Sequence, residues 1–179
     1  MLRKERRVAE CPIVFLDVDG VLNSYDQFEE SKRLRGMAPK HVAELARVLR
    51  ETGAKVVVSS VWRFEVGFDG RTKLGTRFGD ELAEKGEDGK LVRQRIIGRT
   101  KDLWASAPDS KNIRGFEIQT WREEHGHTGP FVIVDDDSDM GPLRHRLVNA
   151  DNALGLTRKE GDEMIRLLAG DAIETGRVL

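Results

Sequence analysis

Cysteine is nearly absent from this chain of 179 residues, in which only Cys11 occurs. A single cysteine excludes an internal disulfide framework and is typical of a protein kept in a reducing compartment. An excess of charge of one sign is missing as well, because 30 basic residues balance 31 acidic ones. Binding to nucleic acid or to a membrane would therefore depend on a local patch, since the chain carries no strong overall field.

Long apolar runs are also missing. The basic N-terminus MLRKERR precedes an apolar run that Asp17 and Asp19 interrupt, so this region predicts neither a signal peptide nor a membrane span. We expect a cytoplasmic protein with no membrane partner, in which residues 1–10 form a basic, solvated tail. None of these features indicates an oligomeric state.

The composition that is present describes a globular protein, with 39% hydrophobic and 34% charged residues. The length favours one domain, which we assign to residues 11–179. Within it, residues 61–110 combine many glycines and charges with one short strand candidate, Gln94–Ile97. We expect this stretch to be an irregular insertion.

Short β-branched runs alternate with helical patterns along the domain. Helical spacing of apolar residues predicts helices over residues 39–50 and 112–124, and Thr157 with Glu160 forms a capping box before a last helix. This alternation predicts an α/β fold, a Rossmann-like parallel sheet with helices on both faces. The predicted strands comprise residues 11–18, 55–60 and 131–134, with a further short one at residues 147–148.

Two acidic pairs follow apolar runs at predicted strand ends. Asp17 and Asp19 project to the same side of an extended backbone, because side chains alternate along a strand. Unit charges about 4 Å apart repel by roughly 4 kcal/mol at an effective dielectric constant of about 20. Asp135 and Asp136 add two more acids. A hard divalent ion such as Mg²⁺ would offset the repulsion among these carboxylates better than protonation would. Gly20 permits a sharp turn that brings backbone N–H groups close to an anion.

Three segments carry a resemblance to a known family. FLDVDGVLN, VVVSS and VIVDDDSD, in this order, are similar to the first, second and fourth motifs of the haloacid dehalogenase-like (HAD) phosphohydrolases. The resemblance covers about residues 11–150. The segments SSVWR and RGFEIQTW further resemble a bacterial HAD subgroup associated with RNA-repair proteins. The resemblance implies a HAD-like fold, and the small amount of chain between the first two motifs implies a minimal or small cap.

The resemblance also implies catalytic roles. Asp17 would attack phosphorus to give an aspartyl-phosphate, and Asp19 would act as general acid and then as general base. Ser60, or Ser59 if the register is shifted by one, would hydrogen-bond the transferring phosphoryl group. Arg114 and Lys111 compete for the role of the cation that stabilises the developing charge.

The same resemblance implies how the metal is held. Mg²⁺ would be bound by the Asp17 carboxylate, the Asp19 backbone carbonyl and Asp136, with Asp135 in support, and Asp139 would orient the loop. Arg63 is a further candidate for binding substrate phosphate, since it closely follows the second motif and its planar fork suits two oxygens.

Several residues have simpler interpretations that involve no catalysis. A calcium loop fails because Phe15 and Met140 stand where such a loop needs an acid and a glycine. His125 and His127 are expected to be solvent-exposed rather than metal ligands. Core packing is the more frequent role for tryptophan, although each could stack on a base. The three tryptophans are Trp62, Trp104 and Trp121.

These observations predict a Mg²⁺-dependent phosphatase for phosphomonoesters, with a terminal RNA or DNA phosphate or a nucleotide as the favoured substrate. Two alternatives stay open. One is a phosphatase for small metabolites such as sugar phosphates or nucleoside monophosphates. The other is a non-catalytic subunit that binds phosphate or nucleic acid within a repair assembly.

Overall fold

In the part of the chain that the structure describes, a parallel sheet of five strands forms the centre. A computed structural model describes residues 10–25, 36–65, 76–106 and 110–170. The predicted basic tail lies outside these residues except for Glu10. The strands are β1 (Ile13–Leu16), β2 (Lys55–Val58), β3 (Ile96–Arg99), β4 (Phe131–Asp135) and β5 (Leu147–Asn149), and the helices are α1 (Pro39–Thr52), α2 (Thr76–Ala83), α3 (Gly86–Arg95), α4 (Ile113–Glu124) and α5 (Arg158–Leu168).

The strand order is β3-β2-β1-β4-β5, and all neighbouring strands are parallel. From β1 the chain proceeds outward to β2 and β3, and it then returns to β4 on the other side of β1. In open parallel sheets, ligands bind where the connections leave in opposite directions, at the carboxyl ends of the strands. Leu16 pairs with both Val58 and Val134, so the next residues of the three segments, Asp17, Ser59 and Asp135, lie side by side at this switch point.

Helices cover both faces of the sheet, as the alternating pattern predicts. On one face Val14 and Leu16 pack in a cluster that includes residues of α1 and α5. On the other face Ile13 and Phe15 pack with Ile118 and Trp121 of α4. Strands buried on both faces need apolar residues at every position, and IVFL in β1 provides them. The predicted Rossmann-like α/β class is thereby confirmed.

The segment 61–110 is more regular than expected over its described residues. Helices α2 and α3 lead into β3, which extends the main sheet by pairing with β2. Gln94 and Arg95 end α3 and do not begin the strand as predicted. The glycines obscured the pattern, because Gly89 lies buried inside α3, where a Cβ atom would meet the Leu82 carbonyl oxygen at 1.7 Å. Residues 66–75, like residues 26–35, lie outside the described part, so the size of any cap stays a prediction.

Several local predictions are confirmed. Pro39 opens α1, and Gly53 ends it with φ of 69° and an N–H that donates to the Leu49 carbonyl oxygen. Thr157 and Glu160 form the capping box of α5. The expectation for His127 is wrong, since its ring is buried and its Nε2 lies 2.9 Å from the Cys11 carbonyl oxygen. Across the described ranges, no helix is both long enough and apolar enough to cross a bilayer.

Candidate active site

Three acids from two strands converge at the switch point. Asp17 follows β1, Asp135 ends β4 and Asp136 follows it, and their nearest carboxylate oxygens all lie within 4.8 Å of one another. Asp17 and Asp135 are buried, whereas Asp136 is half-buried. The structure therefore brings together three of the four residues predicted to hold a metal.

The burial of these acids disfavours their charged forms. Burial raises the pKa of Asp17 to about 8, and the charge of Asp135 adds to this effect against the opposing Arg114 and Ser60. Burial likewise raises the pKa of Asp135 to about 7, although Arg114 lowers it. Burial also raises the pKa of Asp136. A cation among these carboxyl groups would restore their ionised forms.

The donor set fits a hard divalent cation. All three groups offer carboxylate oxygens, which are the ligands that Mg²⁺ prefers. Asp135 Oδ2 is buried and has no hydrogen-bond partner among the described residues. The guanidinium of Arg114 faces this oxygen, with its Nε at 3.3 Å. One guanidinium does not balance three clustered carboxylates, so the charge of the cluster fits a further cation.

Arg114 is the cation that the structure places beside the acids. Its Nη2 lies 3.5 Å from Asp17 Oδ1, and its Nε lies 3.3 Å from Asp135 Oδ2. The backbone N–H of Arg114 donates to Asp139 Oδ2 at 3.2 Å, so Asp139 holds the start of α4 against the acidic loop. Lys111, the competing candidate, has an exposed side chain on the turn before α4. The geometry thus favours Arg114 over Lys111.

The two serines at the end of β2 have different environments. The Ser60 side chain hydrogen-bonds the Asp17 carboxyl group, and its Oγ lies 3.4 Å from the backbone nitrogen of Trp62. Ser59 is equally buried, but its hydroxyl has no hydrogen-bond partner among the described residues. Ser60 is therefore the hydroxyl that lies against the predicted nucleophile.

Asp19 is exposed, and two donors hold one of its carboxylate oxygens. Asn23 Nδ2 lies 2.8 Å and Trp62 Nε1 lies 3.0 Å from Asp19 Oδ1. Its charge contributes to the raised pKa of Asp136, which places Asp19 near the acidic cluster. The sequence interpretation missed both donors. The spacing of Asn23 four residues after Asp19 was a usable signal, whereas no local pattern reveals a contact across 43 residues.

Gly20 makes the sharp turn that the sequence predicts, and it also lies against Asp136. Its backbone N–H donates to Asn23 Oδ1 at 2.9 Å, so that donor is already engaged within the loop. Its φ of 72° lies in the left-handed region, and a Cβ atom would lie 2.4 Å from Asp136 Oδ2. Gly20 therefore permits the close approach of the β1 loop to Asp136.

The two terminal guanidinium nitrogens of Arg63 are already bound within the protein. Its Nη1 lies 2.6 Å from Glu117 Oε2 and its Nη2 lies 3.1 Å from Glu117 Oε1, and both side chains are buried. The Leu103 N–H also donates to Glu117 Oε1, at 3.1 Å. Glu117 thus joins the turns after β2 and β3 to α4, one helical turn beyond Arg114. These contacts favour a structural role for Arg63, which corrects its prediction as a phosphate ligand.

Fold and site together define a class of protein. The sheet has this strand order, and an Asp-x-Asp-Gly loop lies at its switch point. A serine follows the neighbouring strand, and paired acids lie at the end of β4. This is the arrangement of a HAD-type hydrolase domain. A family model described as "HAD domain in Swiss Army Knife RNA repair proteins" matches residues 13–160, and the chain belongs to this family. Comparisons with curated proteins and with solved structures gave no significant match. Family membership indicates activity of the phosphatase type, and HAD proteins generally use Mg²⁺.

Proposed function

We propose that the protein is a Mg²⁺-dependent phosphatase that hydrolyses phosphomonoesters through an aspartyl-phosphate on Asp17. The observation that carries the proposal is the surroundings of Asp17. Its carboxyl group contacts the Ser60 hydroxyl and Arg114, and Asp135 and Asp136 lie within ligand distance. A nucleophile of this kind needs nearby positive charge both to ionise and to receive a phosphate dianion.

The residues of the site divide the reaction between them. An Asp17 oxygen forms a bond to phosphorus as the bond from phosphorus to the leaving oxygen breaks, and Asp19 gives its proton to that oxygen. Asp19 then takes a proton from a water molecule whose oxygen attacks phosphorus, which releases inorganic phosphate and restores Asp17. Ser60 and Arg114 hold the phosphoryl oxygens during both displacements.

A metal ion would be held by the Asp17 carboxylate, Asp136 and the Asp19 backbone carbonyl, with Asp135 behind them. When bound, Mg²⁺ supplies positive charge that keeps the acids ionised and offsets the charge of the phosphoryl group. The assignment of the Asp19 carbonyl rests on the family resemblance.

For the substrate we favour the phosphate at the end of a nucleic acid, or a nucleotide. The family description, with its RNA-repair proteins, supports this choice. So do two exposed aromatic residues at the carboxyl edge of the sheet, Phe64 after β2 and Trp104 after β3. Their turns are joined through Glu117, because Arg63 and the Leu103 N–H both bond to its carboxylate. Stacking of a base on an exposed aromatic ring contributes about 1–3 kcal/mol.

Phosphate release from a generic aryl phosphate tests the activity. We expect release with Mg²⁺, none with EDTA, and none from the Asp17→Asn variant. An Asp80→Asn variant, in which an exposed carboxylate of α2 is changed, serves as the matched control and should keep full activity. Activity that survives in Asp17→Asn would exclude Asp17 as the nucleophile. Tight phosphate or RNA binding without turnover of any ester would instead favour a binding subunit.

A panel of 3′- and 5′-phosphorylated oligonucleotides, nucleotides and sugar phosphates tests the substrate class. We expect the highest kcat/KM on an oligonucleotide or nucleotide. Replacing Trp104 by alanine should then lower kcat/KM about 5-fold to 150-fold on that substrate, from the lost stacking, and leave the aryl phosphate unaffected. A preference for sugar phosphates, with no effect of the substitution, would indicate a metabolite phosphatase.

A further inference from the structure

We propose that Trp62 is a positioning residue that holds the Asp19 carboxylate in the orientation needed for proton transfer. The inference rests on the proposed function, because it assigns Asp19 the role of general acid. Its basis is the 3.0 Å contact between Trp62 Nε1 and Asp19 Oδ1. A bond from an indole N–H to an otherwise exposed carboxylate constrains a side chain that has several rotamers available in solvent.

The two donors act on the same oxygen. Trp62 Nε1 and Asn23 Nδ2 both approach Asp19 Oδ1, at 3.0 and 2.8 Å. A carboxylate oxygen has two lone-pair directions, so two donors occupy Oδ1. This leaves Oδ2 as the oxygen that exchanges a proton with the leaving group and with water.

The indole is itself fixed by packing. Trp62 is only 6% exposed, and its ring makes an edge contact with Phe78 of α2 at a centroid distance of 6.0 Å. Its backbone nitrogen lies 3.4 Å from Ser60 Oγ, so the donor to Asp19 also adjoins the hydroxyl that contacts Asp17. A side chain locked by its neighbours is the kind of support that keeps a catalytic group in place. Residues 61–65 thereby connect α2 to the site.

The Trp62→Phe substitution isolates the hydrogen bond, because phenylalanine keeps an aromatic ring against Phe78 and lacks the N–H donor. General acid assistance matters when the leaving oxygen is a poor leaving group and matters little when it is a good one. The value of kcat/KM covers the steps up to formation of the phosphoryl enzyme, so it excludes the later proton transfer from water. We therefore expect a loss of kcat/KM of about tenfold for an alkyl phosphate and less than about twofold for p-nitrophenyl phosphate.

The matched control is Trp121→Phe, which makes the same change at a buried tryptophan on the opposite face of the sheet. It should affect both esters equally. The Tm of each variant, compared with that of the wild type, tests whether the fold is kept. Equal losses on the two esters in Trp62→Phe would overturn the positioning role while leaving the phosphatase assignment intact. A wild-type protein that releases phosphate from neither ester would overturn the phosphatase assignment itself.

A second measurement tests the contact without activity. The indole N–H resonance of Trp62 is assigned in the NMR spectrum by its disappearance in Trp62→Phe. Replacing Asp19 by alanine should shift this resonance and speed the exchange of its proton with water, whereas the other two tryptophan resonances should stay in place. An unchanged Trp62 resonance would show that the hydrogen bond does not exist in solution.

Discussion

Replacing Asp17 by asparagine should stabilise the metal-free protein at alkaline pH, although it removes the proposed nucleophile. Burial and the charge of Asp135 raise the pKa of Asp17 from its ordinary value of 3.8 to about 8. A carboxyl group whose pKa is raised by folding contributes full stability below its unfolded pKa. That contribution is lost as the pH rises through the folded pKa. The ionised Asp17 therefore destabilises the fold when no cation is present.

The size of the effect follows from the pKa. Each pKa unit corresponds to about 1.4 kcal/mol, so the Asp17 contribution falls by about 2 kcal/mol between pH 6 and pH 8. Asp135, with a pKa of about 7, adds a smaller loss over the same range. For a chain of this length, 2 kcal/mol corresponds to a change in Tm of about 4–8 °C. The asparagine variant lacks the Asp17 part, because its amide stays neutral throughout.

Thermal unfolding in EDTA at pH 6 and pH 8 measures the difference. The Tm of the wild type should fall by about 4–8 °C more than that of Asp17→Asn over this interval. Asp80→Asn, which changes an exposed carboxylate, should follow the wild type. A pH dependence that is the same in all three proteins would refute the reasoning, since it would mean that Asp17 is as well solvated in the fold as in the unfolded chain.

Three further predictions concern the metal and the buried ion pair. Binding of Mg²⁺ at pH 7 should release protons, because the two buried carboxyl groups of the site have raised pKa values. Calorimetry in buffers of different ionisation enthalpy measures the number of protons released. A binding enthalpy that is the same in every buffer would contradict the prediction. Gly20→Ala should weaken Mg²⁺ binding in the same assay, since its Cβ would lie 2.4 Å from Asp136 Oδ2, whereas Gly53→Ala, also at positive φ but with nothing near, should not. Glu117→Gln should lower the free energy of unfolding in urea by about 3–5 kcal/mol by leaving Arg63 buried without its counter-charge, and adding Arg63→Met should recover most of the loss.

The sheet and the acidic cluster were predictable because their signals are local. Continuous apolar runs mark strands buried on both faces, and a parallel topology brings their ends together, so the sequence alone places Asp17, Asp135 and Asp136 in one site. Their order along the chain also supported the family, which the match over residues 13–160 confirms. The roles of the individual site residues stay predictions.

The contacts that the sequence did not reveal join distant segments. Trp62 reaches Asp19 across 43 residues, and Arg63 reaches Glu117 across 54. Although Trp62 and Arg63 are neighbours in one turn, the Trp62 side chain contacts the site and the Arg63 side chain contacts a buried acid elsewhere. No sequence periodicity distinguishes the two orientations. The choice between Arg114 and Lys111 depended on which face of the α4 start turns toward β4, a matter of packing that residue type alone did not decide.

The central claim is that an Asp17 oxygen attacks phosphorus. The most direct test is to quench the reaction rapidly with acid during turnover with Mg²⁺ and to analyse the peptide that contains Asp17 by mass spectrometry. The account predicts a peptide heavier by one phosphoryl group, with the label on Asp17 and sensitive to hydroxylamine, as an acyl phosphate is. The label should be absent with EDTA and in Asp17→Asn. Phosphate release by the wild type without any such adduct, or an adduct on another residue, would contradict the account.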